Sequence, residues 1–154
     1  MMLQQIYPQV MHPFAYELNK DFQFAAAHYV PSDKAGQCQR VHGHTYFANV
    51  TVAGDELDDT GFLVNFSIIK KLIHDRLDHT LLNDHSELFS DSDSQLFPTT
   101  EVVARKIYEL VTEYLQSTDN KPHCVQVFVR ETPTSYCIYR PVKLLRELQG
   151  GAGK

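Results

Sequence analysis

No apolar run in the 154 residues approaches the ~20 that a bilayer-spanning helix needs, so the sequence holds no candidate transmembrane segment. Cysteine is scarce. Cys38, Cys124 and Cys137 form an odd, sparse set that suits reduced thiols better than a disulfide framework. An excess of positive charge is also missing: 14 Lys and Arg stand against 19 Asp and Glu, and the net charge of −5 excludes a strongly basic nucleic-acid binder. The opening "MMLQQIYPQVMHPF" lacks the basic start, compact apolar stretch and small-residue cleavage site of a secretory signal. Internal repeats, low-complexity linkers and glycine-rich dinucleotide motifs are absent. The expectation is a cytoplasmic protein that acts on a small molecule, with neither nucleic acid nor membrane as a partner.

What is present suits a globular core. Hydrophobic residues make up 43% and charged residues 21%, a balance that argues against disorder. One domain is expected over residues 1–154, with 1–13 as an arm and 149–154 as a disordered tail.

Residues 14 to 30 suggest extended chain, because Phe22, Phe24, Ala26, His28 and Val30 share one parity. After the polar loop "PSDKAGQCQR", the segment "HGHTYFANVTVAG" alternates as a second strand with His42, His44, Tyr46, Val50 and Val52 on one side. "NFSIIKKLIHDRLDH" changes to helical spacing, with Phe66, Ile69, Ile73 and Leu77 as its stripe and Asn65 as N-cap. A second helix opens after Pro98 and carries Val103, Ile107, Leu110 and Tyr114. "CVQVFVRETPTSYCIYRP" reads as two strands joined at Pro133. The order strand-strand-helix-helix-strand-strand favours an α+β fold with a four-stranded antiparallel sheet.

His42 and His44 leave one face of their strand ~7 Å apart at Cβ, and imidazoles at that spacing can converge on one ion. His28, on the neighbouring strand, shares a parity with apolar residues. Three neutral imidazoles leave a tetrahedral ion one open position, as a catalytic zinc site requires. Against this stands the simpler account of polar residues at strand ends. Cys38 sits in a loop among polar neighbours, where an adjacent zinc and Arg40 would favour its thiolate. Nucleophile, metal ligand and general base all remain open for it. Glu131 closes the strand "VQVFVRE" just before a threonine-proline turn, a position suited to a site at a sheet end. The adjacent Asp78 and His79 read, by spacing alone, as polar residues at a helix end.

Six motifs, in order, give the chain a resemblance to the 6-pyruvoyl-tetrahydropterin synthase family. They are "FAAAH" (24–28), "CQRVHGH" (38–44), "GFLVNF" (61–66), "LDHTLLN" (77–83), "PTTE" (98–101) and "VRETPTSY" (129–136). The nearest likeness is to the bacterial branch that serves queuosine, a 7-deazapurine. The resemblance implies zinc on His28, His42 and His44, Cys38 as proton acceptor, and Asp78 and His79 as its relay partners. It implies Glu131 as the carboxylate that anchors a pterin and also as a catalytic member of that relay. Thr99, Thr100 and Glu101 match a pterin-binding segment that often acts across a subunit boundary. The implied reaction is a lyase conversion of 7,8-dihydroneopterin triphosphate to 6-carboxy-5,6,7,8-tetrahydropterin, releasing acetaldehyde and triphosphate; the pyruvoyl-forming reaction on the same substrate uses the same residues. A non-enzymatic module in which Cys38 and three histidines close a structural zinc site is the rival from another class. The implied fold is the tunnelling fold, with two helices on one sheet face and subunits joined into a barrel, as a homohexamer built from two trimers. Two positions depart from the family pattern: Asn65 where aspartate is expected, and Val102 where asparagine is common.

Overall fold

In the computed structural model, which describes residues 7–151, the sheet is built around a long hairpin-like pair. Strands β1 (Tyr16–His28) and β2 (His42–Gly54) run antiparallel in unbroken register from Tyr16 opposite Gly54 to His28 opposite His42. Strand alternation then places Phe22, Phe24 and Ala26 beside Tyr46, Ala48 and Val50, all buried on one face. Helices α1 (Phe66–Leu77) and α2 (Thr100–Gln116) cover that face. Ile69, Ile73 and Leu77 of α1 are buried there, as are Val103, Ile107, Val111 and Leu115 of α2. Burial of side chains of this size stabilises the fold by roughly 1.5–3 kcal/mol each.

Both helices start where the sequence provides a cap. Asn65 accepts a hydrogen bond from the Ser67 N–H at 3.0 Å, so the asparagine keeps the capping oxygen despite losing a charge. Thr99 accepts from the Val102 N–H at 3.3 Å, directly after Pro98. The Val102 side chain is buried against the core, which suits valine better than asparagine.

The sheet differs from the expected four antiparallel strands. Its order is β3-β1-β2-β4-β5, with β4 His123–Thr132, β5 Ser135–Tyr139 and an additional β3, Thr80–Leu81, parallel to β1. The result is a mixed five-stranded sheet. A two-residue strand carries no periodicity. It forms because the chain leaving α1 is held against β1, the His79 N–H donating to the Ala25 carbonyl at 2.6 Å.

A third helix, α3 (Val142–Gly151), runs into the segment expected to be a disordered tail. Leu145 and Leu148 pack with Val125 and Ala53 on the face opposite α1 and α2, joined by Val10 of the N-terminal arm and by Phe14 just after it. This packing stabilises a helix whose two closing glycines argue against it locally. The arm is likewise fixed to the sheet: buried Gln126 donates from Nε2 to the Pro8 carbonyl at 3.0 Å and accepts from Arg140 Nε at 2.9 Å. Residues 1–6 of the expected arm and 152–154 of the expected tail lie outside the described residues. Among the described residues no helix is long and apolar enough to cross a membrane.

Candidate metal centre and adjoining pocket

His28 and His42 are the final register pair of β1 and β2, and His44 faces Ala26 two residues further in. All three histidines share the helix-bearing face with Tyr46. Their ring centroids lie 4.5 to 5.1 Å apart. Glu131 arrives from β4 on the same face, two residues beyond the buried Val129. One ligand atom from each of His28, His42, His44 and Glu131 lies within 4.8 Å of all the others. Donors bound to one tetrahedral ion at 2.0–2.1 Å stand about 3.4 Å apart, so small side-chain rotations suffice to close the set on a metal.

The backbone fixes which nitrogen faces inward. His28 Nδ1 lies 2.6 Å from the Pro98 carbonyl, and His42 Nδ1 lies 2.6 Å from the Arg40 carbonyl. A carbonyl oxygen only accepts, so each Nδ1 carries the proton and each Nε2 presents a lone pair. The Nε2 atoms of His28 and His44 are buried, lie 3.2 Å from Glu131 Oε1, and meet no hydrogen-bond geometry. Electron-rich nitrogens around a carboxylate oxygen need positive charge between them. Burial pushes the His44 pKa down and disfavours a proton there. A metal ion is what this donor set fits.

Beside this centre is a pocket of ≈ 340 Å³ walled by His28, Cys38, Glu131, the Thr99–Glu101 segment and β5 residues including Cys137. Cys38 belongs to a 3-10 turn, Asp33–Gln39, that is broken at Gly36 by a left-handed φ of 58° suited to glycine. The Cys38 carbonyl accepts from the Val30 N–H at 2.7 Å, and the residue is exposed. Cys38 therefore stands in the pocket wall, outside the group of four potential ligands. Thr100, at the start of α2, lines the same pocket as the Glu131 carboxylate. Glu101 lines the pocket of its own chain.

Two expected residues are elsewhere. Neither Asp78 nor His79 lines this pocket. Asp78 Oδ1 accepts from the Ala25 N–H at 2.8 Å, and that bond is the main reason its carboxyl is held below its ordinary pKa. His79 has a left-handed φ of 58°, its side chain is 84% exposed, and its Nε2 lies 3.5 Å from Asp78 Oδ2. Cys137 was not anticipated in the pocket. Its place follows from register, since it faces Val129 across the β4–β5 pair, and burial pushes its thiol pKa up.

The family model for 6-pyruvoyl tetrahydropterin synthase matches residues 17–142, a span that includes every residue of the metal centre and the pocket. The chain belongs to this family. Among its relatives, the 6-carboxy-5,6,7,8-tetrahydropterin synthase of Bacillus subtilis is 66% identical over 142 residues, covering 92% of this chain and 97% of that protein. The protein of the same name from Synechocystis is 36% identical, over 78% of this chain and 89% of the relative. The structure of Caenorhabditis elegans 6-pyruvoyl tetrahydropterin synthase superposes with a TM-score of 0.63 at 26% identity, over 86% of this chain and 99% of the other. Family membership thus spans both product types, and the higher identity lies with the carboxy-forming name.

Proposed function

We propose that the chain is a zinc-dependent 6-carboxy-5,6,7,8-tetrahydropterin synthase of queuosine biosynthesis. It converts 7,8-dihydroneopterin triphosphate and water to 6-carboxy-5,6,7,8-tetrahydropterin, acetaldehyde and triphosphate. The observation that carries this reading is the placement of Cys38, Glu131 and His28 on the walls of one pocket at the edge of a four-residue metal centre. The similarity to the Bacillus subtilis relative favours the carboxy product over the pyruvoyl one.

His28, His42 and His44 would hold the zinc, which when bound polarises and acidifies a hydroxyl of the substrate side chain. Glu131 accepts two hydrogen bonds from the adjacent amino group and ring N–H of the pterin, which fixes the ring and the direction of its side chain. Thr99, Thr100 and Glu101 line the same pocket and complete the pterin site. Cys38 takes a proton from the side-chain carbon beside the ring, the electron pair passing into the dihydropterin. Carbon–carbon cleavage and loss of triphosphate follow, and the ring is reduced by internal redox without a nicotinamide. Arg40 shares a second pocket with Cys38 and His42 and is the cation we assign to the triphosphate.

Asp78 and His79 serve as relay partners of Cys38 in this reading. Since neither lines the pocket of its own chain, they would act on the Cys38 of a neighbouring copy. The tunnelling fold provides such neighbours. Among the described residues, Tyr16–Ala25 of β1 have no strand partner on the side away from β2, and β5 is the other sheet edge, so copies can join edge to edge into a barrel and a homohexamer. Product analysis after incubation with 7,8-dihydroneopterin triphosphate is the test. Acetaldehyde and 6-carboxytetrahydropterin are expected; a pyruvoyl product would assign the alternative reaction. No turnover in zinc-loaded protein would favour a structural zinc module.

A further inference from the structure

The chain between the metal centre and the cysteine loop is gripped by one side chain 54 residues away in sequence. Asn83 Oδ1 accepts from the Tyr29 N–H at 3.0 Å, and Asn83 Nδ2 donates to the Tyr29 carbonyl at 3.0 Å. One amide thus pairs both backbone groups of a single residue, as a neighbouring strand would. The same Nδ2 donates to Asp91 Oδ1 at 2.9 Å, and Asp91 Oδ2 accepts from the Tyr29 hydroxyl at 2.7 Å. The four bonds close a ring around Tyr29.

Both neighbours of Tyr29 bear on the pocket. His28 precedes it, with its ring in the metal centre. Val30 follows it, and its N–H donates to the Cys38 carbonyl at 2.7 Å. Only an amide side chain combines the acceptor and donor that this grip needs. Aspartate keeps the acceptor but sets a second carboxylate against Asp91, and alanine offers neither group.

We propose that Asn83 is a positioning residue, which fixes the Tyr29–Val30 backbone and, through the Val30–Cys38 bond, the place of the Cys38 thiol beside His28. The proposal deepens the proposed function and rests on Cys38 as the group that moves the proton. A displaced thiol affects the chemical step more than substrate binding, because the Glu131 wall is untouched. Misplacement by about 1 Å can cost on the order of 10²-fold in rate.

The test uses full-length, zinc-loaded Asn83→Ala and Asn83→Asp, with amide hydrogen exchange read residue by residue alongside kinetics. In both variants the Val30 amide is expected to exchange at least ~10-fold faster while Tyr46 and Val50 in the central strand keep their protection. The zinc-to-chain ratio should be unchanged, kcat should fall roughly ten- to hundred-fold, and KM should stay within about twofold. Unchanged Val30 exchange would overturn the proposal. So would acceleration that is uniform across β1 and β2, which would make Asn83 a general stabiliser. If Asn83→Ala does not fold, Asp91→Ala decides: it removes only the outer brace at an exposed position, and faster Val30 exchange is expected. No acceleration in that variant would overturn the grip. Absence of wild-type turnover would refute the catalytic reading alone, since exchange at Val30 still reports on the grip.

Discussion

His28 on β1 donates its Nδ1 proton to the carbonyl of Pro98, 70 residues later, across 2.6 Å. The bond sets the tautomer that turns Nε2 toward the metal centre. It also ties that centre to the entry of α2, whose next residues, Thr99 to Glu101, form the pocket wall. A candidate ligand and the wall of the adjoining pocket are therefore fixed by the same contact.

Removing the imidazoles removes the ion. His42→Ala and His44→Ala are each expected to lose most of the one zinc per chain, measured by inductively coupled plasma mass spectrometry on dialysed protein. Full occupancy in both variants would overturn the ligand assignment.

Glu131→Gln separates an anchor from a ligand. Three imidazoles suffice to hold zinc, so the variant should keep its metal. It should lose roughly ten- to hundred-fold in kcat/KM, since hydrogen bonds to a charged group contribute about 1.5–3 kcal/mol. Loss of zinc would instead make Glu131 the fourth ligand.

Cys38→Ala should keep zinc and fold normally while turnover drops by ~10²–10⁴-fold, the range typical of a lost general base. Metal content and single-turnover kinetics on the same sample check both halves. Loss of the metal would place the thiol on the ion, and retained activity would make the cysteine a bystander.

Asp58 gives a pH dependence whose sign is fixed. Its Oδ1 accepts from the Thr60 hydroxyl at 2.5 Å and from the Thr60 and Phe62 N–H groups at 2.9 Å, and these bonds lower its carboxyl from the ordinary 3.8. A depressed folded-state pKa contributes stability above pH 3.8 that is lost as pH falls through the lowered value. Asp58→Asn should thus melt below wild type at neutral pH, and the gap in Tm should close as the pH drops below 3.8. A gap independent of pH would show that charge has no part in this turn.

The β1 edge, unpaired among the described residues from Tyr16 to Ala25, predicts self-association. Light scattering on dilute, active protein should give a multiple of the 154-residue mass, a hexamer in the proposed barrel. A fully active monomer would refute both the barrel and the relay across copies.

The sequence was informative where one local period determined the outcome. His-x-His on an alternating strand, and His28 at the parity of Phe24 and Ala26, come together because β1 and β2 pair without a bulge between Phe22 and His28. The cap at Asn65 was legible for the same local reason. Strand β3, helix α3 and the seating of Cys137 depend on contacts between distant segments, to which no period points. The expected grouping of Asp78 and His79 with Cys38 came from family resemblance, and no spacing within the chain could have tested it.

Gln126 holds Pro8 with one end of its amide and Arg140 with the other. The beginning and the end of the described chain are thereby stapled at one buried point in the sheet. Freeing the arm would leave a buried amide donor without its acceptor and strip Val10 and Phe14 from Leu145 and Leu148. The two termini then unfold as one cooperative unit, so protease nicks before Phe14 and within α3 should appear together or not at all.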